Sequence, residues 1–189
     1  MKVGVSILCI ATWASGIGPY ANGGGQPDPS PTLIPAVIKE SMSIPEAELP
    51  DLIRRAKTKE TEAALRLATY YGMYLGDTEK GIHYYEIAAA NGSEKALYNL
   101  MMIFATISKS FDFDRALQTR TRLKAVVAAK GGKMESDGDW AYDMYIEHFV
   151  GYGNKRRGLS FLRYAAKQGS EKASAELAKL FAEDPELAK

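Results

Sequence analysis

The sequence predicts an all-α fold of stacked helix pairs, and three observations carry that prediction. The segment from Lys80 to Ala96 returns at a constant offset of 77 residues as Arg157 to Ala173, with Gly81, Ala88-Ala89, Gly92 and Ala96 matched by Gly158, Ala165-Ala166, Gly169 and Ala173. A fixed offset of this kind marks a repeat array, an architecture that binds more often than it catalyses. From Glu60 onward apolar residues recur at spacings of three and four, and proline almost vanishes. Alanine, leucine, lysine and glutamate, all good helix formers, dominate this stretch.

The elements follow in order. Met1 to Gly16 holds Lys2, the apolar run Val3 to Ala11 and then the small residues Ala14-Ser15-Gly16, the layout of a secretory signal peptide. Export to the periplasm is therefore expected, with residues 1–16 removed. The run is far shorter than the roughly 18 apolar residues that a membrane span needs, so no integral span is expected. Cys9, the only cysteine, lies inside the run, which rules out an intramolecular disulfide. Ser6-Ile7-Leu8 before it does not form the pattern of a lipid attachment site, so lipoprotein anchoring is not expected. Residues 17–50 contain Gly23-Gly24-Gly25 and most of the prolines, the composition of a linker.

The helical domain is assigned to 51–189, with Pro50 suited to the first turn of its first helix. Ala63, Leu67, Tyr71 and Tyr74 fall on one helical face. Gly76-Asp77 ends that helix, with Asp77 or Thr78 placed to cap the next, and Asn91-Gly92 ends the second. Trp140, Met144, His148 and Gly151 repeat the first face at the same offset. Between the two copies lies a less regular unit whose second helix is extended, followed by an insertion over 131–139. Ala173, Leu177 and Phe181 supply a last helix, and its outer residues Lys172, Glu176, Lys179 and Glu183 suit a polar cap.

A helix ending in a leucine and an aromatic, then Gly-x-x-Asp, an aromatic pair, an alanine pair, a glycine and an alanine resembles the SLR (Sel-one-like repeat) family, a relative of tetratricopeptide repeats. Tyr84-Tyr85, Ala88-Ala89, Gly92 and Ala96 carry the resemblance, as do Phe161, Ala165-Ala166, Gly169 and Ala173. It spans roughly Glu60 to Ala182. The resemblance implies a short right-handed α-solenoid of about three helix pairs plus a C-terminal capping helix. It also implies a non-catalytic binding role. Small exported members include immunity proteins that neutralise a secreted antibacterial effector, such as one delivered by type VI secretion; an envelope adaptor is the alternative. Gly81 and Gly158 stand where the family has alanine, which is expected to soften each helix by about 1 kcal/mol. Disulfide-stapled secreted members are not a guide, because this chain lacks their cysteine pairs.

Chemistry is sparse. The formal charge of +1 provides no bulk field for nucleic acid or an anionic membrane. His83 and His148 have no partners at metal-ligand spacing, so no metal or other cofactor is expected; His83 is assigned to solvent and His148 to packing. No nucleophile elbow occurs, and Gly23 to Gly25 is not followed by the Lys-Ser/Thr of a phosphate loop. Asp137, Asp139, Asp143 and Glu147 cluster around Trp140. They read as a solvated or docking face, with a hydrolase as the lesser reading. The basic run Arg115 to Lys130 lacks aromatics for base stacking and reads as an exposed face open to an acidic partner. Tyrosine is a favoured interface anchor. The expected protein-binding face is therefore Tyr70, Met73, Tyr98, Met102, Trp140, Tyr142, Asp143 and Glu147, on the first helices of their units. The sequence leaves the oligomeric state open.

Overall fold

The computed structural model describes residues 42–188, and the expected signal segment 1–16, Cys9 and most of the linker 17–50 lie outside them. Eight helices follow one another with no strand among the described residues. They are α1 (Leu49–Lys57), α2 (Thr61–Thr69), α3 (Thr78–Ala90), α4 (Glu94–Thr106), α5 (Phe113–Ala129), α6 (Asp137–Tyr145), α7 (Lys155–Lys167) and α8 (Glu171–Glu183). The pairs α2/α3, α4/α5 and α6/α7 pack most closely, and α3 also packs on α4 and α7 on α8. Pro50 sits in the first turn of α1, where its missing N–H costs nothing. Packed structure reaches back beyond Asp51, since Ile44 is buried and Glu46–Glu48 forms a 3-10 turn.

The duplicated sequence is duplicated bond by bond. Asp77 caps α3 by accepting the Lys80 N–H at 3.0 Å, and Asn154, 77 residues later, caps α7 by accepting that of Arg157 at 3.1 Å. Ser93 and Ser170 cap α4 and α8 through the N–H groups of Ala96 and Ala173. Such caps are each worth about 1 kcal/mol. Gly92 and Gly169 terminate α3 and α7 at φ of 76° and 86°, the left-handed region that favours glycine.

The first helices of the two copies end in a way that their periodicity does not predict. After Thr69 the chain runs on as a π-helical turn, Tyr70–Tyr74, and after Tyr145 as a second, Ile146–Gly151. Equivalent bonds close both: the Leu75 N–H donates to the Tyr70 carbonyl at 3.0 Å and that of Tyr152 to Glu147 at 2.8 Å. A wider turn brings the end of the first helix against the start of the second. A Cβ on Gly81 would lie 2.8 Å from the Gly72 Cα, and one on Gly158 would lie 2.6 Å from the Phe149 Cβ. The two glycines are thus contact points that admit the neighbouring backbone, which corrects their reading as simple weak spots.

The middle pair departs from its neighbours as expected. α5 has 17 residues where α3 and α7 have 13. Its junction with the third pair is built of aromatic rings around the fully buried Phe161. Phe113 meets that ring edge-on at 5.0 Å and Trp140 at 5.6 Å, while the His148 imidazole stacks on it at 5.4 Å. Edge and offset contacts of this kind add about 0.5–1.5 kcal/mol beyond the area buried. α8 closes the C-terminal end with only Ala173 buried, and Lys172, Lys179 and Glu183 are exposed as a polar cap requires.

Candidate partner-binding face

The residues expected to meet a partner divide by burial. Met73, Tyr98 and Asp143 are exposed; Tyr70, Met102, Tyr142 and Glu147 are half-buried; Trp140 is buried. Tyr70 stacks on Tyr74 at 5.5 Å and meets Tyr71 edge-on at 5.2 Å, so the π turn presents a layered aromatic edge with Met73 on it. Tyr98 and Met102 are four residues apart on α4, hence on one side of that helix. The register prediction placed Asp143 and Glu147 together in the same way. The π turn from Ile146 rotates Glu147 out of that register, and its Oε1 accepts the Tyr152 hydroxyl at 2.7 Å.

Trp140 is a correction to the predicted face. Its ring is covered by Phe161 on one side and by the Arg120 guanidinium, 4.7 Å from the ring centre, on another. A partner has no access to it. Arg120 is a second correction, because the basic run was read as exposed and this side chain is 2% exposed. It donates to Asp137 Oδ1 at 2.8 Å and to the carbonyls of Glu135 and Ser136 at 2.9 and 3.0 Å. One buried guanidinium thereby holds the end of the insertion against α5.

These contacts give Asp137 a structural part. Burial alone would raise the Asp137 carboxyl, but hydrogen bonds and charge from Lys124 and Arg120 outweigh it and hold the group below its usual range. The Lys124 ammonium lies 2.7 Å from Asp137 Oδ2. Asp139 accepts from the Ser136 hydroxyl at 2.7 Å within the α6 cap, and Asp143 is exposed.

His148 is buried and takes the structural part read for it. Its Nε2 lies 2.6 Å from the Ala105 carbonyl, which ties the end of α6 to α4. Burial pushes its pKa below the usual histidine value. Nδ1 is buried without a hydrogen-bond partner, so the neutral Nε2–H tautomer suits the site. His83 is exposed, as expected. A cleft of about 230 Å³ lies elsewhere, between α3, α4 and α5; Glu86, Phe104, Arg115 and Arg122 line it, and neither Asp143 nor Glu147 reaches it.

Five exposed apolar residues escaped the sequence reading: Leu75, Ile107, Ile146, Val150 and Tyr152. With Met73 and Tyr98 they are the large hydrophobic side chains left exposed among the described residues. All seven lie on the first helices of the pairs or on the turns directly after them. A signal was present, since Val150 and Tyr152 occupy the register of Met73 and Leu75 in the duplicated unit.

The fold and the face define a helix-pair protein with an apolar edge. Among the described residues no group of acids, histidines or cysteines could hold a metal ion, and no helix is long and apolar enough to cross a membrane. Comparison with family models, with curated proteins and with solved structures finds no match to this chain.

Proposed function

We propose that this chain is an exported, non-catalytic protein-binding module of the SLR type, a right-handed solenoid whose partner docks on the first helices of its pairs. The observation that carries the reading is the one-sided exposure of Met73, Leu75, Tyr98, Ile107, Ile146, Val150 and Tyr152. Large apolar side chains left exposed on one set of helices favour an interaction site there, and the second helices expose none of comparable size. The family resemblance and the signal-like N-terminus together favour an immunity role, in which the partner is a secreted antibacterial effector and binding blocks its activity.

The test is affinity capture with the exported full chain, followed by identification of the co-purifying protein. A toxic enzyme should be recovered from the parent, and Met73→Asp with Tyr98→Asp should reduce that recovery at least about tenfold, the cost of losing one or two interface anchors. Recovery of an envelope-assembly protein would move the reading to an adaptor. Recovery of a small molecule and no protein would overturn it.

A further inference from the structure

The two copies of the repeat serve as controls for one another. Their π turns expose equivalent apolar residues, Met73 and Leu75 in the first pair and Val150 and Tyr152 in the third. Directly after these residues the copies diverge. α3 opens Thr78-Glu79-Lys80, whereas α7 opens Lys155-Arg156-Arg157. Every other described helix from α1 to α8 carries an acid in its first turn, which suits the positive end of the helix dipole; α7 carries none and three cations instead. Where a chain breaks a local rule that it follows elsewhere, function is the usual reason.

A third segment joins this surface. The Arg157 guanidinium donates to the Ser108 carbonyl at 3.0 Å and to its hydroxyl at 3.1 Å, and stacks 4.3 Å over the Phe111 ring. That clamp brings the turn after α4, with Ile107 and Lys109, beside the start of α7. The resulting surface carries Ile107 at 40%, Val150 at 60% and Tyr152 at 38% exposure. The exposed cations Lys109, Lys155 and Arg156 follow Ile107 and Tyr152 within four positions along the chain, and no carboxylate pairs with these three among the described residues. Of the acids nearest in sequence, Glu147 has Oε1 occupied by the Tyr152 hydroxyl, and Asp112 Oδ1 accepts the Arg115 N–H in the α5 cap. Exposed apolar side chains flanked by unpaired cations are complementary to a ligand that is both apolar and anionic.

We infer that the surface formed by Ile107, Lys109, Val150, Tyr152, Lys155 and Arg156 receives an acidic polypeptide segment whose carboxylates meet the cations and whose apolar side chains cover Val150 and Tyr152. The inference rests on the protein-binding reading and gives the partner a chemistry. A protein segment fits better than a membrane, because the corresponding edge of the first pair pairs its apolar residues with Glu79 and so offers no continuous basic plane along the molecule.

A labelled synthetic peptide alternating glutamate and leucine, its lysine–leucine counterpart, and vesicles rich in phosphatidylglycerol are the probes, used with the full chain. The acidic peptide should bind, and its affinity should fall steeply with added salt. Lys155→Glu with Arg156→Glu should weaken it at least about tenfold while leaving the circular dichroism spectrum unchanged, consistent with the loss of two charge contacts. Thr78→Lys with Glu79→Arg, which rebuilds the basic turn beside Met73 and Leu75, should create a second site for the same peptide. Absence of acidic-peptide binding, equal binding of both peptides, or binding to vesicles alone would overturn the inference. A captured natural partner that holds the Lys155→Glu, Arg156→Glu protein as tightly as the parent would also overturn it, and would leave protein binding itself intact.

Discussion

Gly81 and Gly158 show how a single residue changes meaning once its neighbours are known. Helix propensity alone makes each a cost of about 1 kcal/mol that alanine would remove. The missing Cβ instead leaves room for Gly72 in one copy and Phe149 in the other. Gly81→Ala is expected to destabilise by about 1–3 kcal/mol through overpacking, read as a lower urea midpoint. Gly158→Ala should cost at least as much, because its nearest contact, the Phe149 Cβ at 2.6 Å, is fixed by the backbone and the Phe149 Cα and N lie at 3.0 Å. Stabilisation by either substitution would mean that the helices do not meet as described. His148 carries a prediction with a definite sign. Its folded pKa is depressed by burial, so below the ordinary value near 6.5 the unfolded chain binds a proton that the folded chain resists. The His148 contribution to stability should therefore be constant above about pH 7 and fall as the pH drops through about 6.5 towards the folded pKa. His148→Phe should flatten that dependence in urea midpoints measured between about pH 5 and 8.

At the scale of elements, Arg120 makes most of the side-chain hydrogen bonds that hold the insertion over 131–139 to α5, with Lys124 adding one to Asp137. Arg120 donates to two of its backbone carbonyls and to Asp137, and also covers Trp140. Removing it leaves Asp137 with Lys124 as its one cation partner, frees two carbonyls and uncovers an indole, so Arg120→Ala should cost about 1–3 kcal/mol. Limited proteolysis should then cut near Lys133 at protein concentrations where the parent resists. Arg120→Lys should rescue little, because a point charge cannot replace the planar fork that spans three acceptors. An uncut Arg120→Ala protein would show that the insertion is held elsewhere. The same contrast sets what the sequence made legible. The cap at Asp77 and the stop at Gly92 could be read directly, because each depends on residues within about four positions, whereas the caps at Ser93 and Ser170 came from the structure. The three-pair plan followed from the 77-residue offset. The π turns were hidden because widening a turn requires no particular residue type. Burial of Arg120 was hidden because its partner Asp137 lies 17 positions away, across an insertion that the first pair lacks. The register put Trp140 on the expected face for the same reason. Tyr70, Met73, Tyr98, Met102 and Tyr142 could be placed on first helices from the repeat alone, whereas the exposure of Val150 and Tyr152 required the path of the turn.

For the whole molecule, the decisive property is that closely packed helices are never more than two positions apart in the order α1 to α8. Stability in such an array is carried by each pair and by its interface with the next, so loss of one end should not be felt equally everywhere. α8 is the polar end: it packs on α7 and α6, and its Glu176 accepts the Tyr145 hydroxyl at 3.2 Å. Ending the chain after Ser170 would expose the apolar side of α7 and uncover Tyr145. Amide hydrogen exchange should then speed up by about tenfold or more in α6 and α7, equivalent to about 1.4 kcal/mol or more of lost local stability, with little change in α2 and α3. The aromatic junction around Phe161 is the boundary where that effect should fade, because it joins the third pair to the second through rings held on both sides. Equal acceleration in all three pairs would identify a single cooperative core instead of a chain of neighbours. The distinction bears on binding as well, since in a nearest-neighbour array a partner seated on Val150 and Tyr152 would protect α6 and α7 in the same exchange experiment while leaving the first pair at its own rate.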